Sequence, residues 1–288
     1  MFRALVVGLL LSAPAWAADE YKLKLYETKA GDKIAVEKVD ESNSDVTIDI
    51  GGNVRKQAVV TGSKEVYTEE VVAKKAGEKQ GTKIKRTYTT AEKTEMGKTT
   101  KAVYDGETVL IEKTGDKYTF SIGGKALTED EAPELFKSFN KKADEPSNQD
   151  FLPAEAVTVG GTWKVPAAKV AKMFASVGDE VKVDAKKCGI AGKLVKAYKK
   201  DGAQYGVIEL TITLAIAELD LGGQFVPVKD GGKTVLVGTI DTCIDGTVPG
   251  EASRIAMTQQ LVAELPNNGT LTVTGKGAST ESKKVVKK

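Results

Sequence analysis

The sequence predicts a mainly β fold: a β-rich α+β chain with one large curved antiparallel sheet, or two packed half-sheets, and two short helices. Three observations lead there. Runs of alternating polar and apolar residues recur along most of the chain, as expected of antiparallel strands with one buried and one wet face. Gly, Asn and Asp interrupt these runs where turns would fall. The cleanest stretch sets Ile208, Leu210, Ile212, Leu214 and Ile216 in strict alternation with Glu209, Thr211, Thr213 and Ala215.

Taken in chain order, residues 21–26 alternate and read as a first strand. Residues 46–50 do the same, and Gly51-Gly52 turns the chain after them. Residues 83–88, 109–111 and 117–122 continue in this style, rich in Thr, Val, Tyr and Ile. The character changes at 128–142. Thr128 and Glu131 have capping-box spacing, acids crowd the first turn, and Leu135, Phe136 and Phe139 fall at helical spacing. Pro133 suits a first turn and not an interior, so the regular helix is expected to begin near Ala132. Residues 143–150, with Pro146 and Ser147, read as a linker. Pro166 then opens a second helix near 166–175, in which Val170 and Phe174 share a face and Gly178 lies beyond the end. Strands return at 192–199 and 205–219 around the hairpin turn Lys200-Asp201-Gly202, and at 234–248 and 253–265. Asn267-Asn268-Gly269 turns into a last strand at 270–274, and residues 279–288 read as a disordered tail.

This order divides the chain into a signal peptide at 1–17, an N-terminal β half at 18–145 ending in a helix, and a C-terminal β half at 150–278 with a short helix. The two halves are expected to share one core. Arg3 gives the leader a positive start, residues 4–11 are apolar, Pro14 breaks the run, and Ala15-Trp16-Ala17 is an A-x-A cleavage site. The run is shorter than the roughly 20 residues that span a membrane, so no transmembrane segment is expected. Cleavage after Ala17 sends the chain to the periplasm or the exterior. No lipobox cysteine follows, so no lipid anchor is expected.

Composition removes several function classes. The 42 basic and 40 acidic residues nearly cancel, so no global pull toward nucleic acid or anionic lipid follows. After cleavage the arginines are Arg55, Arg86 and Arg254 alone, and lysine is a poorer bidentate partner for phosphate. There is no histidine. This takes away the usual general base at neutral pH, the Ser-His-Asp and Cys-His arrangements, and His-ligated metal sites. Carboxylate and Ser-Lys chemistry survive. No cofactor and no metal site are expected.

The candidate sites are few. Cys188 and Cys243 are the only cysteines, and export makes them a candidate disulfide. Such a bridge would close a loop of about 55 residues, worth roughly 4 kcal/mol in the chain-entropy model. Ser138 and Lys141 match S-x-x-K, and Lys113-Thr-Gly115 matches K-T-G. The order is reversed relative to penicillin-binding enzymes and no S-D-N element lies between, so Ser138 is not read as a nucleophile. Asp241 to Gly246 begins like a calcium loop, but Cys243 and Ala252 stand where ligands belong. Gly275-Lys-Gly277 has Thr280 in place of the third glycine of a dinucleotide fingerprint. Asn268-Gly-Thr270 fits a glycosylation pattern and, first of all, a turn. Residues 74–101 carry nine basic and three acidic residues, which reads as a wet strand face rather than a polyanion site because Arg86 is the only arginine there. Trp163 shares a strand parity with Val159 and Val165 and reads as a core residue.

The run Gly124-Lys-Ala-Leu-Thr-Glu-Asp-Glu-Ala132, then Leu152-Pro153, then Val157-Thr-Val-Gly-Gly-Thr-Trp163, resembles uncharacterised secreted bacterial β-rich proteins, with Gly161 in place of their usual Asp. That resemblance implies bacterial export and a β-rich fold and transfers no catalytic residue. The element order is also similar to the periplasmic lipoprotein-carrier architecture, a curved sheet closed by helices around a greasy cavity. The leading expectation is therefore a non-enzymatic exported protein that binds a lipid or other apolar ligand under the sheet, against the face of Ile208 to Ile216. The alternatives are a structural or interaction module with a cell-envelope protein as partner, and a carboxylate-based hydrolase.

Overall fold

The computed structural model describes residues 19–140, 147–174 and 181–286. The expected leader, residues 141–146 of the first helix and linker, Gly178 and residues 287–288 lie outside the described residues. Along the chain run β1 (Glu20–Tyr21), β2 (Lys33–Ile50), β3 (Asn53–Ala73), β4 (Lys83–Glu95), β5 (Lys98–Lys101), β6 (Thr108–Thr114), β7 (Lys117–Ile122), β8 (Lys125–Ala126) and α1 (Pro133–Phe139). A 3-10 turn at Asn148–Phe151 leads to β9 (Val157–Thr158), β10 (Thr162–Lys164), α2 (Ala167–Phe174), β11 (Val181–Val183) and β12 (Gly189–Lys200). Then come β13 (Ala203–Asp220), β14 (Phe225–Cys243), β15 (Glu251–Leu265) and β16 (Gly269–Val285).

The fold is a 14-stranded antiparallel sheet in the order β10-β12-β13-β14-β15-β16-β2-β3-β4-β6-β7-β8, with β11 on β13 and β5 on β4. It consists of two meanders, each in chain order, joined where the last strand pairs with the first long one. β16 runs against β2 from Thr270↔Asp49 to Val285↔Ile34 without a register shift. The hairpins follow from local chemistry. Gly51 and Gly52 carry φ of 60° and 85°, and Asp201 and Gly202 carry 51° and 83°. These positive values suit the tight turns whose twist matches the strands they join.

Apolar side chains gather in four clusters, all on one face of the sheet by the registers of its strands. One cluster, with Ile84, Tyr88, Ile111, Phe120, Leu135 and Phe139, lies within the first meander under α1. Two lie within the second. Leu194, Ile208 and Ile244 enclose Leu23, and Val170 and Phe174 of α2 cover Ile190. The fourth brings Val46 and Ile48 of β2 against Leu261 and Leu271. The core is thus divided, and the expectation of one continuous core is corrected. Between the clusters, residues 37–50, 53–70, 251–260 and 272–285 contain no buried residue. The middle of the sheet is a single layer with water on both sides.

Two further expectations change, and one long strand appears that the sequence did not predict. Residues 21–26 do not form a strand. Only Glu20–Tyr21 pairs, with β9, and Leu23 drops into the second meander while the Lys24 amide bonds the Ile244 carbonyl. The expected tail at 279–288 is ordered strand through Val285, held by β15 on one side and β2 on the other. Its sequence lacks an apolar face because neither of its faces meets a core. Residues 53–73, which alternate poorly, form the longest strand for the same reason. The two helices match their expectation, and Thr128 and Glu131 make the reciprocal capping bonds just ahead of α1.

Glycines inside strands mark where a neighbour crosses the sheet. The indole of Trp163 lies directly over Gly192, where a Cβ would collide with its ring, and its Nε1 donates to the Phe151 carbonyl at 2.8 Å. Gly192→Ala is expected to cost about 1–3 kcal/mol by overpacking. The check is the urea midpoint of the processed chain followed by Trp163 fluorescence.

Candidate functional site

The sequence candidates do not converge on a catalytic centre. Cys188 precedes β12 beside the Ala215 amide, whereas Cys243 pairs with Tyr205. These β13 positions are ten residues apart, roughly 30 Å along a strand. A disulfide needs Cα atoms within about 7 Å. Both cysteines are free thiols, and the expected bridge is corrected. Cys243 is fully buried and donates its thiol to Asp245 Oδ1 at 2.9 Å, so it packs as a small core residue.

Asp245 also accepts the Thr247 hydroxyl at 2.6 Å and the Gln204 and Thr247 amides at 2.8 and 3.0 Å. Desolvation pushes its carboxyl up, but these bonds outweigh it and hold the carboxyl well below the usual range. The calcium-like stretch is therefore a turn organised by Asp245. Ser138 donates to the Leu135 carbonyl of its own helix and Lys113 pairs with Glu78, while Lys141 lies outside the described residues. Within residues 74–101, Lys83, Arg86, Lys93 and Lys101 pair with Glu112, Glu69, Glu95 and Asp105. Three of these acids, Glu112, Glu69 and Asp105, lie outside the segment and offset half of its excess positive charge. Trp163 is half-buried in the cluster around Leu194, as its parity implied.

The apolar face of β13 is packed by the chain itself. Ile208 and Ile216 are buried, and Leu210, Ile212 and Leu214 pack into the clusters that hold Trp163 and Phe174.

What the fold assembles instead is a band of paired charges across the single-layer centre, on the same face as the clusters. Lys283 of β16 sits between Glu251 at 3.4 Å and Glu281 at 2.6 Å. Burial works against its charge, and the two carboxylates more than restore it. Lys38 of β2 pairs with Asp40 at 3.0 Å, and Asp40 accepts the Ser63 hydroxyl at 3.0 Å and a bond from Ser279. Glu65, opposite Lys38 on β3, is half-buried, and desolvation raises its pKa. The band ends at Arg86, buried under α1. Its Nη2 and Nε reach Glu69 Oε2 at 2.5 and 3.1 Å, and its guanidinium lies 4.2 Å from the Tyr67 ring centre and 5.0 Å from that of Phe139. Arg86 thereby ties α1 to the sheet. Sequence reading missed it, although an arginine on the parity of Ile84 and Tyr88 is the signal of a buried, paired cation.

The opposite face carries no cluster. Thr47, Thr94, Thr211, Thr258, Thr272 and Thr274 lie on it, with Val60 and Val237 exposed among them. Two shallow depressions meet there at Asn43 and Lys276. One is lined by Lys233, Thr258, Gln260 and Thr274, the other by Glu41, Val60, Gly62 and Lys64. The lining is open and mixes polar with apolar surface. Among the described residues no group of His, Cys, Asp and Glu could hold a metal ion, and no helix is long and apolar enough to cross a membrane.

No protein-family model and no curated protein matches the chain. Among solved structures, DynF from the dynemicin biosynthesis pathway of Micromonospora chersina aligns over 96% of this chain and 92% of its own, at 8% identity and a TM-score of 0.18. The toluene transporter TodX of P. putida aligns over 89% and 91%, at 8% identity and a TM-score of 0.14. Likeness at this level carries no argument about activity.

Two measurements check this geometry. Unfolding the processed chain without reductant is expected to release two titratable thiols; none would be found if the cysteines were bridged. Arg86→Ala is expected to cost about 3–5 kcal/mol, the usual result of stranding one partner of a buried pair. Combining it with Glu69→Ala should recover part of that loss in the same denaturation assay.

Proposed function

We propose that the chain is an exported, non-enzymatic interaction module of the bacterial cell envelope, whose broad sheet presents a surface for a protein partner. The observation that carries this reading is the single-layer centre. Long segments of β2, β3, β15 and β16 contain no fully buried residue, so the chain invests them in surface rather than core. The absence of histidine and the local use of every candidate nucleophile support a non-enzymatic role. The lipid-binding reading has less behind it, because the apolar face of β13 is covered by the chain's own side chains.

Both ends of the sheet are poor docking edges. β8 and β10 are two and three residues long. The edge of β7 is closed by Asn140, whose side chain accepts the Tyr118 amide at 2.6 Å and donates to the Tyr118 carbonyl at 3.2 Å. Short and plugged edges resist strand addition. The faces are the broadest surface, and the open face with Val60, Ala256 and Ala278 is the one without caps, while β3 keeps an unpaired edge over residues 53–59.

The test is photo-crosslinking in the envelope from residues introduced at Val60, Ala256 and Ala278. A discrete protein adduct that disappears with Ala278→Arg is expected. No adduct at any of the three positions, with lipid co-purifying instead, would turn the reading toward the apolar-ligand alternative.

A further inference from the structure

We propose that the β16–β2 ladder is an exchangeable seam, through which two copies of this chain can trade their first meander and form a reciprocal dimer. The reasoning starts from topology. Every other long ladder joins strands that are neighbours in sequence or belong to one meander, whereas this one joins the last strand of the second meander to the first of the other. Each meander keeps a cluster of its own when the seam is ignored.

The seam itself is weakly buried. Neither residues 37–50 of β2 nor residues 272–285 of β16 include a buried residue. Apolar contact lies toward the two ends: Val46 and Ile48 meet Leu271 and Val273, and at the other end Val285 stands opposite Ile34, which is buried along with Val36. Between these ends the partners are mostly polar, as in Lys38 opposite Glu281 and Asp40 opposite Ser279. Opening such a ladder exposes backbone groups that water can satisfy, and little apolar surface.

The remaining contacts between the meanders come from residues 20–25. Leu23 is buried among Leu194, Ile208 and Ile244, and Gln149 bonds the Leu25 amide at 2.8 Å and the Leu23 carbonyl at 3.1 Å. This strap is continuous with β2 and travels with it. A second copy therefore offers the same register, the same charges and the same pocket for Leu23. When identical contacts form within one chain or between two, concentration decides the balance. The occupant that fits an open β2 edge best is another β16.

The proposal rests on the geometry of the seam and not on the envelope-partner reading, and the purified chain tests it alone. Processed chain with Cys188 and Cys243 replaced by alanine would carry Val39→Cys and Thr280→Cys, a directly opposed pair across the seam. A control would carry Ala256→Cys and Ala278→Cys, opposed within the second meander. Each is concentrated near its urea midpoint, returned to buffer and oxidised. The seam pair is expected to give a covalent dimer whose share rises with concentration, while the control links only within a chain. The native sequence, treated alike, should show the same dimer by light scattering, which guards against misfolding of the variants. A seam pair that links only internally at every concentration overturns the proposal, as does a native dimer in which that pair still links internally.

Discussion

The unbroken antiparallel register of β15, β16, β2 and β3 is the constraint on which the rest of this structure depends. These strands pair without a shift along nearly their whole length, although none of their central residues is fully buried. A sheet normally holds its register because slipping by one residue would turn its apolar side chains into water. Here that penalty acts only at the ends, where the clusters lie. Between them, register is kept by backbone pairing and by cross-strand side-chain pairs worth about 0.2–1 kcal/mol each. Across the strands Glu251 faces Lys283, and Lys38 faces Glu281 on one side and Glu65 on the other, so opposite signs meet in the native register. Threonine on the open face adds β-branched stiffness without asking for burial.

The clusters are anchors for this span. All of them lie on one face, so α1 and α2 cover the same side of the sheet at separate places. Specific devices attach them. Arg86 joins α1 to β3 and β4 through Phe139, Tyr67 and Glu69, and burial of the aromatic ring holds the Tyr67 hydroxyl up at about 12 despite the guanidinium beside it. Gly192 leaves room for Trp163, and Gly206 leaves room for Ile244 and Leu194. A side chain at either glycine would push a cover away from the sheet.

This division of labour bears on function. A protein that binds a ligand in its interior spends its apolar face on a cavity, whereas this one spends that face on its own caps and leaves the other face wet. Ser138, Cys243 and Asp245 are committed to a helix carbonyl and a turn. What remains available is open, shallow area of mixed polarity. The same absence of burial that exposes this area also makes the junction of the two meanders the least protected ladder.

Much of the fold was legible in the sequence. Period-two alternation revealed β13, Gly51-Gly52 and Asp201-Gly202 marked their hairpins, and the Thr128–Glu131 spacing with Pro133 placed α1, because each of these signals is local. β3 and the end of β16 were illegible. Apart from Tyr67 and Val71 their residues meet no core, so alternation, which records burial, is absent from them. The separation of Cys188 from Cys243 and the pairing of Arg86 with Glu69 followed from which strands lie side by side. By itself the sequence determined the class of fold, the helices and the turns, since backbone preference and apolar periodicity act over a few residues. Only the tertiary structure decided that the core is split and that the last strand closes the sheet against the first, since strand order and register are set by contacts between residues far apart in the chain.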